Sequence, residues 1–68
     1  MDRDDEYLTP KEAAILLRNH PYTLERYRRL GGGPPFSKPF ANGRILYKRS
    51  DLIRWVDSKK VSSTNQLP

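Results

Sequence analysis

Cysteine is absent from this chain, histidine occurs once, and no long apolar run interrupts it. Without cysteine no disulfide can staple the fold and no thiolate zinc site can form. The absence also fits a cytosolic protein. No apolar stretch approaches the roughly 18 residues that a membrane span requires, so no membrane association is expected. The opening Met1-Asp2-Arg3-Asp4-Asp5-Glu6 is acidic and polar, unlike a signal peptide. One histidine and scattered carboxylates supply neither a nucleophile–base pair nor a metal cluster. Gly31-Gly32-Gly33 has no strand leading into it and no Lys-Ser/Thr after it, so it is not a phosphate loop. These gaps argue against an enzyme, a cofactor and a metal, and leave binding as the chemistry to explain.

What the chain does have is unevenly placed charge. Its net charge is +5, with 13 Lys/Arg against 8 Asp/Glu. Residues 2–6 hold four acids and one arginine, whereas residues 9–60 hold twelve bases and four acids, a local net of +8. Such an excess on about fifty residues makes a strong positive field and favours a polyanionic partner, nucleic acid above all. Sixty-eight residues allow one domain with one small core, expected to be marginally stable. We divide the chain into an acidic, flexible N-terminus (1–6), a folded domain (7–60) and a polar, aperiodic tail (61–68) expected to be disordered.

Within the domain the punctuation is clear. Thr9 can cap a helix, Pro10 suits its first position, and Glu12 completes a Thr-x-x-Glu capping box, with Leu8 placed to staple onto Ala13. This predicts a first helix from residue 10 to 17 or 18, with Ala13, Ala14, Leu16 and Leu17 inward and Ile15 partly so. Pro21 opens a second helix over residues 21–30, stopped by the three glycines. Leu24, Tyr27 and Leu30, or the stem of Arg28, should face the core. The connection Arg18-Asn19-His20 makes the pair a helix-turn-helix candidate. His20, just before Pro21, reads first as a cap or turn residue, with a phosphate contact second.

Residues 36–40 and 44–48 read as two short strands with Asn42-Gly43 as a two-residue hairpin loop, both residues at positive φ. Phe40 then pairs with Ile45, and Phe36, Phe40, Ile45 and Tyr47 share a face packed on the helices. Pro39 makes its strand an edge, and Lys38 falls awkwardly on the packed face. Ser50 is the expected cap of a third helix that ends near residues 58–60, with Asp51 in its first turn and Leu52, Trp55 and Val56 inward. Trp55 should be the largest core side chain. Tyr27, Tyr47 and Trp55 read as core rather than as base-stacking surfaces. The expected fold class is α+β, mainly α: three short helices with a two-stranded β-hairpin wing between the second and third.

Several linked segments carry a family resemblance: Leu8-Thr9-Pro10-Lys11-Glu12-Ala13-Ala14, Pro21-Tyr22-Thr23-Leu24-Glu25-Arg26-Tyr27, Gly33-Pro34-Pro35-Phe36, and Tyr47 through Trp55. In this order they resemble the winged helix-turn-helix domains of phage excisionases and AlpA-like regulators, relatives of the MerR DNA-binding domain. The sequence departs from that pattern at His20, where a small Ser or Asn is usual, and at Tyr22, where Arg or Lys is usual. The resemblance implies a protein that binds double-stranded DNA, with the second helix in the major groove and the wing over a minor groove. It implies an excisionase, a directionality factor that binds and bends attachment-site DNA for a separate integrase and self-associates on repeated sites. An AlpA-like transcriptional regulator would look the same, and a protein-binding adaptor is a third reading.

On this reading the helix N-terminus reaches base edges, which brings forward Tyr22, Thr23 and Arg26. Arg26 is the choice for guanine, because a guanidinium can bond O6 and N7 together; a phosphate contact or a solvated charge is the alternative. Glu25 either accepts from cytosine or pairs with Arg28 or Arg29, pairing being preferred. Arg28 and Arg29 are assigned to phosphates. Lys38, Asn42, Arg44 and Lys48 form the wing set, with Arg44 either sensing minor-groove width or serving as plain surface charge. Thr9 and Lys11 are the phosphate candidates at the first helix end, where free N–H groups favour an anion, and His20, before Pro21, is a third.

Overall fold

The computed structural model describes residues 5–61, so the tail segment 62–68 and residues 1–4 lie outside the described residues. The elements run β1 (Tyr7–Leu8), α1 (Pro10–Leu16), α2 (Pro21–Leu30), β2 (Tyr47–Lys48) and α3 (Arg49–Ser58). The expected mainly helical class with a two-stranded antiparallel element holds. Among the described residues no helix is long and apolar enough to cross a membrane.

Helix α1 starts as its sequence dictates. Thr9 Oγ1 accepts from Glu12 N at 3.2 Å, and Glu12 Oε1 accepts from Thr9 N at 2.9 Å. Both bonds of the capping box are therefore made, and Pro10 occupies a position whose N–H would have no helical partner anyway. The helix closes at Leu17, and Arg18 takes a left-handed φ of 56° that swings the chain into the turn. Leu8, Ala13, Ala14, Leu24, Tyr47 and Leu52 form the buried core, with Leu16, Leu17 and Ile45 packed against it. Two alanines at the centre let α2 lie close to α1, because neither holds the helices apart.

The core differs from expectation at several large side chains, among them Val56, which is 46% exposed. Ile15 is 71% exposed, and Leu30 is 74% exposed. Leu30 sits about 120° round the helix from Leu24, too far to share its face, and Arg28 takes the inward place one turn beyond Leu24. Phe40 lies in solvent and Trp55 is only half-buried. Tyr47 and Leu52 are the largest fully buried side chains instead. Tyr27 is also half-exposed, stacking edge-on against Trp55 with centroids 6.1 Å apart.

The wing is real but its register is not the expected one. Ser37 and Leu46 form an antiparallel bridge, with Ser37 N donating to Leu46 O at 2.8 Å and Leu46 N to Ser37 O at 2.9 Å. Gly43 N donates to Phe40 O at 3.2 Å, so the turn runs from Phe40 to Gly43 with Ala41-Asn42 at its centre. Gly43 has φ +85°, and Asn42 is not at positive φ. Gly in the fourth place of an ordinary turn has won over the mirror-image Asn-Gly turn. The pairing moves by two residues, which preserves which side chains share a face but brings Phe36, not Lys38, next to Tyr47; their rings lie 6.2 Å apart. Lys38 is exposed, which removes the conflict it posed.

Two prolines explain why the ribbon has a single bridge. In an antiparallel ladder the doubly bonded pairs recur every second residue. The neighbours of Ser37 in that series are Pro35 and Pro39, and neither has an N–H to donate. The other edge of this chain segment is used differently: Tyr47 and Lys48 pair with Leu8 and Tyr7 in antiparallel register. That N-terminal strand was not foreseen. Its extension supplies Glu6 O as acceptor for Arg49 N at 2.9 Å, so α3 begins at Arg49. Lys48 is its N-cap residue, with no side-chain cap, and the expected cap Ser50 lies inside the first turn. Asp5, from the acidic stretch expected to be flexible, reaches Lys48 Nζ at 3.6 Å.

Candidate nucleic-acid interface

Helix α2 is fixed at both ends and along one face. At its start His20 is the N-cap, and its Nδ1 accepts from Tyr22 N at 3.1 Å. This bond requires a bare Nδ1, which leaves the imidazole proton on Nε2, free to donate outward. Asn19 organises the same corner: its Oδ1 accepts from His20 N at 2.8 Å and from Thr23 Oγ1 at 3.1 Å. At the other end Gly31 N donates to Tyr27 O at 2.7 Å. Along the inner face, Leu24 is buried and Arg28 Nη1 donates to Tyr47 Oη at 2.8 Å. Tyr47 has no exposed surface, and a buried hydroxyl without a partner costs about 1–3 kcal/mol. Arg28 answers that need and ties α2 to β2.

This arrangement decides which residues of α2 remain available. Tyr22, Glu25, Arg26 and Arg29 are exposed, and Thr23 is half-exposed. Among the described residues neither Arg26 nor Arg29 has an ion-pair or hydrogen-bond partner. Glu25, preferred as a partner of Arg28 or Arg29, pairs with neither. Arg28, assigned by sequence to a phosphate, is instead half-buried on Tyr47, because it lies one turn from Leu24 on the inner face. Two guanidiniums and a phenol therefore line the outer face of α2 with no internal work to do.

The wing residues are placed differently. Lys38, Asn42 and Arg44 are all exposed. Asn42 Oδ1 accepts from Arg44 N at 3.0 Å and shapes the tip, leaving its amide NH₂ for other contacts. Lys48 is drawn to Asp5. No hydrogen bond or ion pair among the described residues joins Lys38, Asn42 or Arg44 to α2. At α1 the capping box already occupies the Thr9 hydroxyl and the Glu12 N–H. The expected pool of free N–H groups is thereby reduced, and the exposed Lys11 ammonium is the clearest cation remaining there. Sequence reasoning missed Asn19. Its signal was a short amide side chain before His20-Pro21, where such residues commonly bond to nearby backbone N–H groups.

The family model for the helix-turn-helix domain matches residues 7–60. The chain belongs to that family. No curated protein matches it. Membership supports DNA as the partner class. The second helix of the pair is α2, the position that reads the major groove in helix-turn-helix domains generally.

Proposed function

We propose that this chain is a sequence-specific DNA-binding protein of excisionase type, a directionality factor that binds and bends attachment-site DNA for integrase-mediated excision. The observation that carries the DNA-binding part is the outer face of α2: Tyr22, Arg26 and Arg29 exposed, the helix clamped from behind by Leu24 and by Arg28 on Tyr47. On this reading α2 enters the major groove. Tyr22, Thr23 and Arg26 meet base edges, with Arg26 bonding guanine, while Arg29 meets a phosphate. Lys38, Arg44, Asn42 and, once released from Asp5, Lys48 cover the adjacent backbone and minor groove. Lys11 and His20 Nε2 hold a phosphate beside the helix start.

The excision role rests on the sequence resemblance to excisionases, carried by the segments around Thr9-Pro10, Pro21-Tyr22, Gly33-Pro34 and Tyr47-Lys48. One small domain contacts few base pairs, so cooperative self-association on phased repeats, with bending, supplies the specificity that one copy lacks. The partner would be an integrase, and the site of action the bacterial nucleoid.

The test is footprinting on tiled DNA from the parent element, across its attachment region and its promoters. Protection of several phased sites beside the attachment core, with bending, supports excision. Protection of a promoter alone would make the chain an AlpA-like regulator. No specific protection, together with an affinity indifferent to salt, would remove DNA binding, because phosphate contacts release counterions and must weaken as salt rises.

A further inference from the structure

Leu30 has no role in the core, yet it sits on the same outer surface as Arg26. Thr23, Arg26, Tyr27, Leu30 and Gly31 line one shallow cavity of about 240 Å³ on that surface. Two of its walls are held in place. Tyr27 stacks edge-on against Trp55 at 6.1 Å, and the backbone at Gly33 closes on it so tightly that a Cβ there would lie 2.6 Å from Tyr27 Cβ. The Thr23 hydroxyl is engaged by Asn19 at 3.1 Å, which leaves its methyl group for apolar contact. The result is an apolar cup of a positioned phenol ring and threonine beside an exposed leucine, with the Arg26 side chain also lining it.

We infer that this cup receives the 5-methyl group of a thymine neighbouring the guanine read by Arg26, so that α2 recognises a two-base step of guanine and thymine. The inference rests on the DNA-binding reading above. In the major groove thymine alone among the four bases presents a methyl, and apolar side chains are what recognise it. Arg26 and the cup are adjacent on one helix face, so the guanine edge and the methyl come from neighbouring base pairs. An exposed leucine beside an unpaired guanidinium suits a ligand that is polyanionic at its edge and apolar at one point, as a thymine-bearing groove is.

The experiment uses the full chain and the tightest duplex it selects from a randomised pool. Each thymine of that duplex is replaced in turn by deoxyuridine, which deletes only the methyl group. Burying one such group corresponds to about a fourfold change in affinity. We expect a loss of that size at one thymine beside a guanine, and its disappearance in Leu30→Ala, a change at a 74% exposed position that leaves the fold intact. Equal affinity for thymine and uracil at every position would overturn the cup while leaving DNA binding standing. A methyl effect that survives Leu30→Ala in full would also overturn it, by placing the methyl elsewhere. Failure to select any duplex would sink the DNA reading and the cup with it.

Discussion

Helix α2 and the wing were both assigned to DNA by sequence, and they are built by opposite means. The helix has a cap at His20, an organising Asn19, a buried Leu24 and a charged hydrogen bond from Arg28 to Tyr47. The wing has one bridge at Ser37 and Leu46, a turn at Phe40–Gly43, and almost every side chain between them in solvent. A clamped element can hold a guanidinium in one geometry, which base recognition needs. A ribbon with few bonds can adapt its cations to a backbone of variable shape, which needs charge rather than geometry. The comparison teaches that specificity should sit on α2 and electrostatics on the wing.

The largest effect that separates the two regions is on stability. Leu24→Ala should cost about 2–5 kcal/mol, as truncation of a buried leucine does, and in so small a domain a urea melt should show most of the folded state lost. Phe40→Ala, at an exposed wing position, should stay within about 0.5 kcal/mol. Comparable losses for both would mean that the wing packs as firmly as the helix, and the contrast would fail.

Next in size is the effect on recognition. Arg26→Ala should cost about 1–3 kcal/mol of discrimination between specific and random duplexes, and Arg29→Ala or Arg44→Ala should weaken both duplexes alike while reducing the salt slope by about one phosphate. Arg28→Ala should act through stability, because its guanidinium serves Tyr47, and after correction for the unfolded fraction its salt slope should match the parent protein. An Arg28→Ala slope reduced as far as that of Arg29→Ala would return Arg28 to the phosphate set.

How much of this was legible beforehand follows from where the controlling information lies. The capping box at Thr9 and Glu12, the proline starts and the glycine stop are local signals, and they placed α1 and α2 almost to the residue. Helical spacing alone puts Leu30 about 120° from Leu24; what the sequence did not show is that Arg28 on that face would bond Tyr47, a partner 19 positions away in sequence. The strand at Tyr7-Leu8 is two residues long, too short to show alternation, and it exists because Tyr47-Lys48 offers it an edge. The hairpin register turned on two competing turn rules, the two-residue Asn-Gly loop and a glycine in the fourth place of an ordinary turn, and the structure follows the second. Pro39 did not choose between them, because it falls in the doubly bonded series in either register.

A smaller effect probes the clamp at its start. His20→Ala removes the acceptor for Tyr22 N and should cost about 0.5–2 kcal/mol, as loss of a side-chain cap does, while His20→Asn or His20→Ser should recover it. Chemical denaturation of the three variants checks this. If all three behave alike, Asn19 rather than His20 holds the helix start.

The smallest effect tests why the wing is loose. Pro39 stands where the next doubly bonded pair after Ser37 and Leu46 would fall, opposite Arg44, and Pro39→Val gives that position an N–H. The new bond adds about 0.5–1.5 kcal/mol in favour of the ribbon, while the lost proline frees the unfolded chain by about 0.4–1 kcal/mol. The two nearly cancel, so the midpoint of unfolding should barely move. The readout is therefore local: slowed hydrogen exchange at the new amide of residue 39, and Arg44 N withdrawn from Asn42 Oδ1, its present acceptor at 3.0 Å. A ribbon stiffened in this way should also bind random DNA less well, if adaptability is what the wing contributes. Protection at residue 39 without any change in random-sequence affinity would leave the hydrogen-bond argument intact and separate looseness from DNA binding.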